Sequence, residues 1–124
     1  MSTRRKILCA EAQEDIGALI ALMLGKKGYE VRTVHTVADA LRAAAAERFD
    51  LYVLNDTYID GDSFDLMRQL RQLTPAIPVL MFSLEGSAGQ RASGVQQHGV
   101  SYYVSKTSDF TALVETIDNV FRAR

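Results

Sequence analysis

Apolar residues fall along this chain in two alternating rhythms. Ile7 to Ala10, Leu51 to Leu54, Val79 to Phe82 and Tyr102 to Val104 are short, nearly unbroken apolar runs, the pattern of strands covered on both faces. Glu30-Val31-Arg32-Thr33-Val34 alternates polar and apolar instead, as a half-exposed edge strand does. Between these runs apolar residues recur at helical spacing. Residues 15–27 place Ile16, Leu19, Ile20, Met23 and Leu24 on one side, and Gly28 follows as a stop. Residues 37–47 are rich in alanine, and Thr36 with Asp39 three positions on resembles a cap. Over 63–73 the apolar face is Leu66, Met67, Leu70 and Leu73, and Thr74-Pro75 ends the helix. Ser108 or Asp109 caps a last helix carrying Phe110, Leu113, Val114, Ile117 and Phe121. The weakest expected helix is the fourth, near 87–97, which contains Gly89 and Gly94 and little apolar content.

Five strands and five helices joined by short connections predict an α/β fold, a parallel sheet covered by helices on both faces, in one domain spanning residues 1–124. Ligands of such sheets sit beyond the carboxyl ends of the strands. Glu11 and Ala12 follow the first strand, Asn55 the third, Ser83 the fourth and Lys106 the fifth; these are the candidate site residues.

Composition narrows the function classes. The chain has 124 residues, 48% of them hydrophobic, enough for the core of one compact unit. Fourteen Lys and Arg against fifteen Asp and Glu leave a formal net charge of -1, so no basic field draws nucleic acid. Arg4-Arg5-Lys6 reads as a solvated N-terminus. The single cysteine, Cys9, lies in an apolar run and reads as a small buried hydrophobe. No stretch approaches the roughly 18 apolar residues of a membrane span, and none forms a signal peptide; a cytoplasmic location is expected. His35 and His98 lack metal-like spacing and read as surface residues. After the first strand stands Cys9-Ala10-Glu11-Ala12-Gln13 and no glycine-rich phosphate loop. That weighs against a small flavodoxin-like or nucleotide-binding protein.

Five segments agree in order and spacing with one family. Lys6-Ile7-Leu8 leading to an acidic residue, Gly28-Tyr29-Glu30-Val31, Asp50-Leu51 through Asp62, Pro78 through Ser83 and Gly99 through Lys106 together resemble the receiver domain of bacterial response regulators, over essentially the whole chain. The resemblance implies a flavodoxin-like (βα)5 three-layer sandwich with sheet order 2-1-3-4-5. It also implies a magnesium site made by two acids after the first strand and an acceptor aspartate after the third, phosphorylated by a histidine kinase. A hydroxyl residue and a lysine then contact the phosphoryl oxygens, and an aromatic on the fifth strand changes rotamer. Glu11 matches the first acid, Ser83 the hydroxyl, Tyr103 the aromatic and Lys106 the lysine. Ala12 replaces the second acid, Asn55 the acceptor, Ile59 a usual proline, Ser63 a usual glycine and Thr107 the proline after the lysine.

Those departures fall on the chemistry. An amide at position 55 has neither the charge nor the nucleophilic oxygen of a carboxylate. Of three family carboxylates only Glu11 remains, with the Thr57 carbonyl as a further family ligand, so magnesium binding is expected to be weak or absent. Lys106 is expected to pair with Glu11 or to hydrogen-bond the Asn55 oxygen. The expected function is a divergent, non-enzymatic pseudo-receiver that acts by binding a protein: a histidine kinase, an output domain or another signalling protein. Its expected contact face is the fourth helix, fifth strand and fifth helix, with no nucleic acid and no membrane. Asp56 is the alternative acceptor, but neighbours on an extended segment point to opposite sides, so its use requires a register slip or a wide loop. Asp60 and Asp62 read as turn and N-cap residues. The Lys106–Thr107 bond is expected trans, since a cis bond before a non-proline costs roughly 2.5–4 kcal/mol.

Overall fold

Strand β1 (Lys6–Ala10) and strand β3 (Leu51–Leu54) are buried at nearly every position, which places them at the centre of the sheet, where both faces are covered. Strand β2 (Glu30–Val34) has alternating exposure and pairs only with β1, as an edge strand. With β6 (Val79–Leu84) and β7 (Tyr102–Lys106) they form one sheet in the order β2-β1-β3-β6-β7. Every pairing is parallel. The structure, a computed structural model, describes residues 4–55, 57–84, 102–106 and 110–123, with the backbone alone at Ser83, Leu84, Tyr103, Ser105 and Lys106.

Helices α1 (Glu14–Lys26), α2 (Val37–Ala46), α3 (Ser63–Leu73) and α4 (Thr111–Ala123) cover the sheet. Strand side chains alternate between the faces, so there are two cores. Leu8, Ala10, Tyr52, Leu54, Val79 and Met81 pack with Ala40 and Ala44 of α2 and Leu66, Met67 and Leu70 of α3. Ile7, Cys9, Leu51, Val53, Leu80, Phe82 and Val104 pack with Ile20 and Leu24 of α1 and Leu113, Ile117, Val120 and Phe121 of α4. The result is the expected three-layer, flavodoxin-like α/β architecture. Phe110 sets its ring edge-on to Phe82, with centroids 5.4 Å apart. Further along α4, Asp118 accepts a hydrogen bond from the Tyr29 hydroxyl.

Several expectations need correction. A short antiparallel ribbon, β4 (Thr57–Tyr58) with β5 (Gly61–Asp62), follows β3; two-residue strands leave no periodic trace in a sequence. Leu19 and Leu73 are 44% and 47% exposed, so the buried stripes of α1 and α3 are narrower than their apolar arcs. Lys6 is not a solvated terminal residue: it opens β1, its amide donates to Asp50 at 2.8 Å and its ammonium lies 2.7 Å from Glu47. His35 is half-buried. The expected fourth helix, His98, the caps Ser108 and Asp109 and the Lys106–Thr107 bond lie outside the described residues.

Helix α2 begins under two caps. Thr36 Oγ1 accepts from the Asp39 amide at 3.1 Å, as its spacing predicts. Asp60, more than twenty residues further along, accepts from the Val37 amide at 2.8 Å and the Ala38 amide at 3.0 Å. Three amides of the first turn, which have no partner within the helix, are thereby satisfied. Asp62 caps α3 by accepting from the Asp65 amide at 2.9 Å.

Candidate functional site

Adjacent parallel strands bring Glu11 and Asn55 together. Ala10 lies opposite Leu54, and the ladder continues one step past each strand: the Glu11 amide donates to Val34 O at 2.9 Å and the Asn55 amide to Ala10 O at 3.1 Å. Glu11 is only 1% exposed. A buried carboxylate requires partners, and here Oε2 accepts from Asn55 Nδ2 at 2.9 Å and from the Gln13 amide at 3.1 Å. A carboxylate can only accept, so this contact fixes the orientation of the Asn55 amide: nitrogen toward Glu11. The carbonyl of Glu11 is also engaged. His35 Nδ1 lies 2.8 Å from it, which makes Nδ1 the protonated, donating ring nitrogen.

Tyr58 completes the cluster, and no motif in the sequence pointed to it. The side chain is buried, and its hydroxyl reaches back to the strand ends. It donates to Ala10 O at 2.7 Å and accepts from the Asn55 amide at 2.9 Å. The available signal was modest: an amphipathic aromatic four residues after a strand end, of a kind that usually finds a partner for its hydroxyl when buried.

The other candidates are placed unevenly. Ala12 is exposed at the end of β1. Thr57 is exposed and lies opposite Asp62 in the ribbon. Ser83 lies opposite Ser105 and Lys106 opposite Leu84, so the backbone carries Ser83 and Lys106 to the same end of neighbouring strands. Tyr103 lies opposite Met81. Asp56 is outside the described residues, as is any contact of the Lys106 side chain.

Magnesium favours a near-octahedral set of oxygens built on carboxylates and waters. The donors described here fit that poorly. Glu11 faces an amide N–H, Ala12 contributes a methyl group, and among the described residues no three His, Cys, Asp or Glu side chains cluster.

A doubly wound parallel sheet in this order, with its polar cluster beyond the carboxyl ends of the central strands, defines a flavodoxin-like α/β protein. Within that class the family described as "Response regulator receiver domain" matches residues 7–118, and the chain belongs to it. Receiver domains are signalling modules of two-component systems that interact with histidine kinases and output domains. Among curated relatives, the chain is 28% identical over 122 residues to the response regulator protein PilR of Pseudomonas aeruginosa, covering 98% of this chain and 27% of that protein. It is 32% identical over 102 residues to the transcriptional regulatory protein GlrR of Escherichia coli, covering 82% of this chain and 22% of that protein. The chain thus spans about a quarter of the length of these relatives. Among solved structures, a CheY-like receiver domain protein from Methanospirillum hungatei superposes with a TM-score of 0.89 at 21% identity, covering 98% of this chain and 96% of that one. The response regulator TrrA from Thermotoga maritima, in complex with Mg(2+)-BeF, gives 0.83 at 19% identity, covering 94% and 98%. Both likenesses show the fold. Among the described residues no helix is long and apolar enough to cross a membrane.

Proposed function

We propose that residues 1–124 form a receiver module of a bacterial two-component or phosphorelay system that carries no phosphate on Asn55 and signals by protein–protein contact. The observation that carries this reading is the 2.9 Å bond from Asn55 Nδ2 to the buried Glu11 carboxylate. In a phosphoaccepting pocket both groups present negative oxygen to a metal; here the Asn55 amide N–H donates a hydrogen bond to the Glu11 carboxylate. Phosphoryl transfer needs an anionic nucleophile and stabilisation of charge developing on the transferred group. The amide removes the first. Ala12 and the engaged Glu11 weaken the second, so magnesium binding is weak or absent.

On this reading the module is not an enzyme, is cytoplasmic and binds no nucleic acid. Glu11, Ala12, Asn55, Asp56, Thr57, Ser83 and Lys106 are the remnant pocket, with Tyr103 the remnant switch aromatic. The partner, a kinase, an output domain or another signalling protein, docks on the face formed by the helix expected near residues 87–97, strand β7 and helix α4. Support for that face is a shallow cavity of about 180 Å³ between β7 and α4, lined by Tyr102, Thr116, Asn119, Val120 and Ala123. Intact-mass measurement after incubation with acetyl phosphate and magnesium tests the central point. No phosphoryl adduct is expected; an adduct overturns the reading, and one mapped to Asp56 identifies the alternative acceptor.

A further inference from the structure

The ribbon β4–β5 is held by polar contacts on every side. Tyr58 fastens it to the ends of β1 and β3, Asp60 to the first turn of α2, and Asp62 to the first turn of α3. At Gly61 the chain passes so close to α2 that a Cβ would stand 3.2 Å from Val37 Cγ2. Apolar burial does not hold the tip, since Ile59 is 94% exposed.

The Tyr58 hydroxyl is more than a satisfied buried polar group. The Asn55 amide already has Ala10 O at 3.1 Å, so neither atom needs the hydroxyl for its hydrogen bonding. By bonding to both while they remain bonded to each other, the hydroxyl ties two strand ends to the ribbon, at the backbone of the very residue whose side chain faces Glu11. We infer that the ribbon is a latch, with Tyr58 as its positioning residue, which fixes Asn55 against Glu11 and holds the pocket in one arrangement. This deepens the reading above and rests on it. The missing nucleophile leaves the pocket unloaded; the latch keeps it from rearranging even when a nucleophile is supplied.

Two measurements on the full chain test the latch. The first is amide hydrogen exchange in the wild type, Tyr58→Phe and Asp60→Asn. Tyr58→Phe is expected to speed exchange at Asn55 by tenfold or more, and Asp60→Asn to do the same at Val37 and Ala38, with the amides of β2 and α4 unchanged. No change at Asn55, or a uniform rise across the sheet, overturns the inference, because a purely structural tyrosine gives the uniform rise. Should Tyr58→Phe fail to fold, Asp60→Asn reaches the same ribbon from its exposed side, and its amide pattern decides. The second measurement uses beryllofluoride with magnesium as the probe. Adding Tyr58→Phe to the Asn55→Asp, Ala12→Asp double variant is expected to tighten binding at least tenfold; unchanged or weaker binding overturns the latch. A phosphoryl adduct on the wild type defeats the functional reading alone, and leaves the exchange pattern to be judged separately.

Discussion

At the scale of single residues, the pocket turns on one nitrogen atom. Asn55 Nδ2 lies 2.9 Å from Glu11 Oε2, and Asn55→Asp would put a second carboxylate oxygen in its place. Two carboxylates at that separation cannot both stay ionised without a cation or a shared proton, because each raises the pKa of the other. The variant is therefore expected to melt below the wild type at pH 7 and low salt. It should recover part of the loss on adding magnesium, which binds the charged pair of the folded state only. Thermal unfolding with and without magnesium checks this. An Asn55→Asp protein as stable as the wild type without metal would show that the amide is not engaged with Glu11. Asn55 and Glu11 were both visible in the sequence because each ends an apolar run; the direction of the amide was not, since it depends on what lies across the strand.

Secondary structure elements record a different balance of local and distant causes. Strands buried on both faces and helices with an apolar stripe were legible from pattern, since burial on both faces gives an unbroken apolar run and burial of one helix face selects every third and fourth residue. The width of the stripe was not. Leu70 and Leu73 share one apolar pattern, yet Leu70 is fully buried and Leu73 is 47% exposed. Leu70→Ala is expected to cost about 2–5 kcal/mol, while Leu73→Ala should stay within about 0.5 kcal/mol, like other surface changes; denaturant unfolding of the two variants separates them. The cap Thr36 was legible because its partner is three residues away, and the Asp60 cap was not, because it comes from another element. The Val37 and Ala38 amides hold the Asp60 carboxyl below its ordinary value of 3.8. A depressed carboxyl stabilises the fold above that value, and the contribution is lost as pH falls through the lower, folded value. In an NMR titration the Asp60 carboxyl should titrate below 3.8, and the Val37 and Ala38 amide shifts should follow the same curve. Amides that do not follow it would show that the ribbon is not tied to α2.

For the molecule as a whole, fold and switch chemistry are separable. The order β2-β1-β3-β6-β7 depends on the strands alone, and the substitutions Ala12 and Asn55 lie beyond the strand ends, where they leave both cores intact. That is why the family was legible while the ribbon, built from non-local polar contacts, was not. It also means the missing chemistry can be put back without refolding the protein. Asn55→Asp returns the nucleophile but leaves position 12 with a methyl group, so the metal that stabilises the transferring phosphoryl group is still short of a carboxylate. Asn55→Asp with Ala12→Asp supplies both. Phosphorylation by acetyl phosphate in magnesium, followed by intact mass, should therefore rise in the order wild type, Asn55→Asp, double variant, with Ala12→Asp alone no better than wild type. If Asn55→Asp were as reactive as the double variant, Ala12 would be irrelevant and the account of the metal site would fail. Reactivity of Ala12→Asp alone would instead move attention to Asp56, because Asn55 has no oxygen able to accept the phosphoryl group as a carboxylate does.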